Sequence, residues 1–327
     1  MIIVDVKLPY QIFEIIYLDS LLGKELFLDW VAFSFMGAVM VAIVVILEKR
    51  LISVNIKRFR TFIIWVATAQ LTNAALVYFI IGFPDDLQIS TVITAYGAGL
   101  SYGIGAALFF IGMKLEEASR SIAIMQTYPI FVTILAVNFL GEQITFAQQL
   151  AIIIIVSGSY IISFKKPSLL SAFRPTKALP FLALSSFAIG VGFFGNKLAL
   201  ESTTLSTVYL FRCVGASTIL ILFFRPDVLI DMIENLRYPP TRYLIIVNQF
   251  ILTPIAMLTQ LKATSLGPVS LVSSIICTSP IIVFLLTAIF SKTKLRGLGE
   301  PLQKSTLALK GIAMFLVVGG LIVLQIT

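Results

Sequence analysis

Two prolines, Pro129 and Pro280, each lie inside a hydrophobic run, and each follows a short cluster of polar residues. Gln126, Thr127 and Tyr128 precede the first; Ser273, Ser274, Thr278 and Ser279 precede the second. A proline within a helix removes one hydrogen bond and clashes with the preceding turn, at a cost of about 3 kcal/mol. It also frees the carbonyl four residues earlier, here that of Met125 and of Ile276. Amides, hydroxyls and freed carbonyls are groups that hold a small solute by hydrogen bonds. Further polar candidates inside apolar runs are Asn248, Gln249, Thr253 and Gln260, and Tyr96, Ser101 and Tyr102. Taken singly, each also fits an interhelical hydrogen bond. Lys197 and Arg212 are cations that would attract an anionic ligand, unless they snorkel to a membrane interface.

The groups needed for covalent or metal chemistry are scarce. There is no histidine, and Cys213 and Cys277 sit in apolar segments without CxxC spacing, as small core residues do. No Asp or Glu lies deep in an apolar run, since Asp29, Glu48 and Glu201 are at the ends. Asp85-Asp86 is an acidic pair near a membrane face, set in a loop and with no histidine anywhere in the chain to complete a metal site. The sequence therefore predicts no catalytic residues, no metal and no cofactor, and disfavours an integral-membrane enzyme. A proton-driven antiporter keeps a titratable group at depth, so facilitated diffusion or exchange is the expected energetics. A water-filled vestibule would be needed for Glu48 or Glu201 to titrate.

Composition says what holds these residues. The 327-residue chain is 58% hydrophobic and 12% charged, with mean hydropathy +1.01. Soluble domains run nearer a quarter charged. The apolar runs are about twenty residues long, the length of a membrane-crossing helix rather than of a barrel strand. An all-α integral membrane protein follows, with ten spans expected near 30–47, 61–83, 89–113, 119–140, 146–164, 178–199, 204–224, 242–262, 267–290 and 305–326. Residues 1–29 mix charges with Ile and Leu; they form an extramembrane or interfacial segment. The connections 164–177, 224–242 and 291–305 are charged or turn-rich, and none is large enough for a domain.

The net charge of +8 reflects topology rather than nucleic-acid binding. Nineteen of the 24 Lys and Arg residues lie in or near odd-numbered loops, while "GFPDDLQ" and "LGEQIT" carry none. By the positive-inside rule the odd loops are cytoplasmic and both termini are outside.

A shift of 151 places lays "SRSIAIMQTYPIFVTILAVNF" over "SLVSSIICTSPIIVFLLTAIF", with eight of 21 positions identical, Pro129 and Pro280 among them. Spans one to five thus recur as spans six to ten. Five is odd, so the second copy enters from the opposite side: a 5+5 inverted-topology repeat, with a site expected at the midplane between the halves. The glycines of "GAGLSYGIG" and "GVGFFG" allow close helix packing, Gly99 and Gly103 being spaced as GxxxG. A sliding cavity wall would use the same residues.

Ten helices in two halves, a proline within the fourth of each, and "P-x(11)-GE" before the fifth resemble the drug/metabolite transporter superfamily, EamA type. The resemblance runs from residue 30 to 326 and divides the chain into repeats at 30–164 and 178–327, joined by a loop at 165–177. In the second half the glutamate is displaced to Glu300, which leaves Glu142 without a matched partner. The resemblance implies a multi-pass transporter of small organic solutes, metabolites or amino acids, in the plasma membrane, acting by alternating access as a monomer or homodimer. It implies a cavity lined by spans 1, 3, 4, 6, 8 and 9. It places Gln126, Thr127, Tyr128, Pro129, Tyr102, Asn248, Gln249, Ser273, Thr278 and Ser279 as candidate substrate contacts. The superfamily's sugar-phosphate branch makes Lys197 and Arg212 candidate anion contacts. Its members are often drawn with both termini cytoplasmic, opposite to the charge count. The partners expected are a small solute and the lipid bilayer.

Overall fold

The apolar runs fold as helices because a chain in hydrocarbon must satisfy its own backbone groups. The structure, a computed structural model, describes residues 30–84, 87–115, 118–162, 177–290 and 304–326. Among them there are helices and no strands. In chain order these are α1 (Trp30–Arg50), α2 (Phe59–Ile81), α3 (Ile89–Leu115), α4 (Ala118–Met125), α5 (Tyr128–Leu135) and α6 (Phe146–Ile162). Then come α7 (Leu179–Leu200), α8 (Leu205–Ile221), α9 (Pro226–Arg237), α10 (Pro239–Leu266), α11 (Val269–Ile276), α12 (Ser279–Phe290) and α13 (Lys304–Ile326).

Among the described residues, six helices are long and apolar enough to cross a membrane, seven if α8 and α9 count as one bent span. Tyr128–Leu140, Phe146–Ile161 and Met314–Val323 are apolar but shorter, and ten spans are reached only with these three and α8. The expected amphipathic segment before residue 30 and the loops at 165–176 and 291–303 lie outside the described residues, as does Glu300.

The segment 224–242, expected as a connection, contains a helix. Pro226 starts α9 with Asp227 in its first turn, and α9 turns by 116° from α8. Its residues Val228 and Met232, four apart, share one face. Val228 is buried, and Met232 packs against the cluster around Phe62 and Phe110. On the outer side Arg58 reaches Asp227 at 2.7 Å and Asp231 at 3.4 Å. The exposed Arg58–Asp227 pair contributes within about 1 kcal/mol. Asp231 is more enclosed and also accepts the buried Thr61 hydroxyl at 2.9 Å, so this bond and the apolar seating together hold α9 in place.

Three wide π-type turns interrupt the regular winding, at Leu51–Asn55, Ala136–Leu140 and Ile246–Leu252. The third stands just before Pro254, which has no N–H to give and would crowd a normal turn. Thr253 instead bonds back to the carbonyl of Asn248, through its hydroxyl at 2.8 Å and through its N–H.

The centre of the bundle is held by backbone approach. α3 packs against both α7 and α8, while α1 packs against α10, α11 and α12. A Cβ at Gly99 would lie 2.2 Å from the carbonyl oxygen of Arg212, and one at Gly215 would lie 2.2 Å from that of Tyr96. Gly103 meets Ala216 in the same way, at 2.7 Å. The GxxxG spacing of Gly99 and Gly103 is therefore a packing seam between α3 and α8.

Candidate functional site

Each proline of the repeated pair opens a new helix instead of damaging an old one. α4 stops at Met125 and α5 begins at Tyr128; α11 stops at Ile276 and α12 begins at Ser279. Pro129 and Pro280 thus fall in first turns, where a missing N–H costs nothing. The two breaks share their hydrogen bonds at a constant offset of 151. Thr127 N–H bonds to Ile124 O at 3.1 Å and Thr278 N–H to Ile275 O at 3.0 Å. The hydroxyls of Thr127 and Thr278 close onto the same two carbonyls, both at 2.7 Å. Ile130 N–H bonds to Thr127 O at 3.1 Å, and Ile281 N–H to Thr278 O at 2.9 Å.

The breaks also touch each other. The Cys277 thiol donates to Gln126 O at 3.1 Å, and Gln126 Nε2 donates to Ser279 Oγ at 3.3 Å. Gln126 and Cys277 are 151 residues apart, so each residue meets its own counterpart. Such a contact falls where a two-fold axis relating the segments would pass. Gln126, Thr278 and Ser279 are all at most 5% exposed.

Around this crossing Thr127 Oγ1 pairs with Ser186 Oγ at 2.9 Å. Tyr128 donates to Ser273 O at 3.3 Å, its ring stacked on Phe193 with centroids 5.1 Å apart. Ser273, fully buried, donates to Ser270 O, and Pro129 is buried beside Tyr128. The structure therefore brings Gln126, Thr127, Tyr128, Pro129, Ser273, Thr278 and Ser279 together.

A second group lies around α3, α8, α10 and α1. Arg212 is only 3% exposed, so its charge does not snorkel to an interface as the sequence alone would allow. Its Cζ lies 4.3 Å above the Tyr102 ring, a cation–π contact, and its Nε has no hydrogen-bond partner. Tyr102 lies within electrostatic reach of Arg212, of Glu48 and of Tyr128, which links this group to the crossing. Asn248 is fully buried, and neither its Oδ1 nor its Nδ2 has a partner. Gln249, beside it, donates to Glu48 Oε1 at 3.5 Å. Unpartnered buried polar atoms cost free energy that a bound solute would recover.

Lys197 is placed apart from both groups. Its Nζ donates to Thr264 O and Gly267 O, each at 3.1 Å, at the C-terminal end of α10. A cation there complements the helix dipole. Also apart is an apolar groove of about 580 Å³ between α1 and α10, lined by Ile43, Leu47, Arg50, Tyr243, Val247 and Leu286. None of the expected site residues lines it. Among the described residues no cluster of His, Cys, Asp and Glu could hold a metal ion.

Sequence reasoning passed over two contacts. Glu48 lies at the end of α1, as its position in the apolar run implies, and also meets Gln249, 201 positions away. Glu142, which has no counterpart in register in the second half, accepts on its carboxylate the N–H groups of Val269 and Ser270, at 2.6 and 3.3 Å, together with the Ser270 hydroxyl. The available signal was Gly141, whose left-handed turn (φ 65°) ends the helix and carries Glu142 over towards α11.

Residues 28–164 match the model of the EamA-like transporter family, which belongs to the drug/metabolite transporter superfamily. A protein of known crystal structure superposes with a TM-score of 0.65 at 16% identity, over 91% of this chain and 97% of that one. At that identity the likeness concerns the fold. Among curated proteins, none matches the chain in sequence.

Proposed function

We propose, from the match of residues 28–164 to the EamA-like transporter family model, that this multi-pass membrane protein is a secondary transporter of small organic solutes, metabolites or amino acids. It works by alternating access, as facilitated diffusion or exchange, in the plasma membrane. Its ten spans form two five-helix repeats, 30–164 and 178–327, of opposite topology. The observation that carries the reading is the meeting of the two proline breaks at Gln126 and Cys277. Broken helices at the midplane between inverted repeats are where such proteins place their substrate. Two similar halves that rock about a fixed site expose it to each face in turn, with no chemical step.

In this reading Gln126, Thr127, Tyr128, Ser273, Thr278 and Ser279 supply the hydrogen bonds of the crossing, and Pro129 fixes the break. Tyr102, Asn248 and Gln249 supply the polar wall opposite. The hydrogen bonds of the crossing exchange for bonds to the solute, so binding there costs little net pairing, while the solute gives Asn248 the partners its side chain lacks. A second reading, an exchanger of anionic, sugar-phosphate-like solutes, is supported by Arg212, a buried cation with an unpartnered Nε. In that reading Lys197 would help to attract the anion at the mouth.

The test is flux. Purified protein in liposomes is expected to move at least one radiolabelled metabolite or amino acid down its gradient, well above empty liposomes. A broad panel with no flux above that background would overturn the transport reading.

A further inference from the structure

Helix α11 begins without a cap of its own. Its N-cap residue is Pro268, which offers no side-chain acceptor, although Val269 and Ser270 are fully buried. Buried N–H groups at a helix start need an acceptor. Helices usually find one locally, in a Ser, Thr, Asp or Asn at the N-cap. Here it comes from the other half of the chain, 127 residues upstream. Glu142 accepts Val269 N–H on Oε1 at 2.6 Å, and Ser270 N–H at 3.3 Å and the Ser270 hydroxyl on Oε2. A carboxylate at a helix N-terminus makes charge-assisted bonds and complements the dipole.

The same turn is gripped from other sides. Lys197, near the end of α7, holds the C-terminal carbonyls of α10 through Thr264 O and Gly267 O. The Trp30 ring, at the start of α1, presses on Gly267 so closely that a Cβ there would lie 2.5 Å from it. The start of α1, the end of α5 with its π turn, the end of α7 and the α10–α11 turn therefore converge. Two of these ends come from the first half and two from the second.

We propose that Glu142 is a latch that shuts the solute pathway on this face. The cap on α11 exists only while the two halves are together here. When they part, the carboxylate and the N–H groups pass to water, which satisfies both. That exchange makes the closure reversible, and Glu142 sets the balance between closed and open. The inference rests on the transport reading and adds to it a residue outside the proposed solute contacts. Lys197 acts with it by fixing the turn that the latch engages.

Thiol labelling in nanodiscs tests the latch without knowledge of the solute. The reporter is Ser274→Cys in a Cys213→Ala, Cys277→Ala chain. Ser274 is fully buried and one turn below Ser270 on the same helix face. With Glu142 intact a polar maleimide should react slowly. Glu142→Gln keeps the shape but removes the charge, and should raise the rate about tenfold or more. Ser270→Ala, which removes one of the three bonds, should give a smaller rise, and Glu142→Asp should restore part of the protection.

An unchanged rate in Glu142→Gln would overturn the latch. So would an equal rise at Cys213, fully buried in α8 and read in a Cys277→Ala chain, because that would mean general loosening. Faster labelling together with no flux of any solute would leave the latch standing and overturn transport instead. Normal flux with unchanged labelling would overturn the latch alone.

Discussion

Arg212→Met is expected to fold at least as well as the native chain and to lose uptake of anionic solutes. The two effects run in opposite directions because Arg212 is a buried charge whose Nε has no partner. Removing a buried charge in favour of a well-packed apolar side chain is commonly neutral or stabilising, by about 1 kcal/mol or more. Methionine is unbranched and can keep the contact with the Tyr102 ring, which now sits 4.3 Å from the guanidinium. A ligand that pairs with the buried cation would lose about 2–5 kcal/mol of binding, thirtyfold or more in apparent affinity. Melting temperature and uptake, measured on the same preparation, check this. Unchanged uptake of every transported solute would remove Arg212 from the site; a lowered melting temperature would make its role structural.

Gly99→Ala is expected to cost about 3 kcal/mol or more and to misplace Arg212, whereas Gly97→Ala should be neutral or slightly stabilising. The two glycines are neighbours in one motif with opposite surroundings. A Cβ at Gly99 would fall 2.2 Å from a backbone oxygen of Arg212, and a main chain cannot swing aside as a side chain can. A Cβ at Gly97 would meet nothing within 4 Å. Thermal unfolding in detergent should place Gly99→Ala well below the native protein and Gly97→Ala beside it. Gly215→Ala, which faces Tyr96 across the same seam at 2.2 Å, should behave like Gly99→Ala. Equal melting temperatures for all three would mean that the α3–α8 seam is looser than its geometry.

The likeness of the two proline segments was the most legible feature. Identities at Thr127/Thr278 and Pro129/Pro280 mark residues whose local hydrogen bonds recur at the same offset of 151. Local chemistry of that kind is written into neighbouring residues. Long-range pairing is not. Nothing about Glu142 in the sequence names Val269 and Ser270 as its partners, and the uncapped Pro268 becomes informative only once α11 is seen to start after it. Arg212 and Lys197 look alike as cations near apolar runs. Their fates differ because Lys197 reaches a helix end, while Arg212 is enclosed between α3 and α8. The amphipathic α9 was hidden by the charges and prolines around it, which read as a loop until Val228 and Met232 are placed on one face.

During transport, solute is expected to bind at the crossing of the two breaks. Counterflow in liposomes tests it most directly, comparing the native chain with Gln126→Ala/Ser279→Ala, which removes the direct side-chain bond between the breaks. Unlabelled solute inside should drive transient accumulation of labelled solute through the native protein. The double variant, reconstituted at equal amount and equally folded, should lose most of that accumulation. Full counterflow in the double variant would contradict the claim.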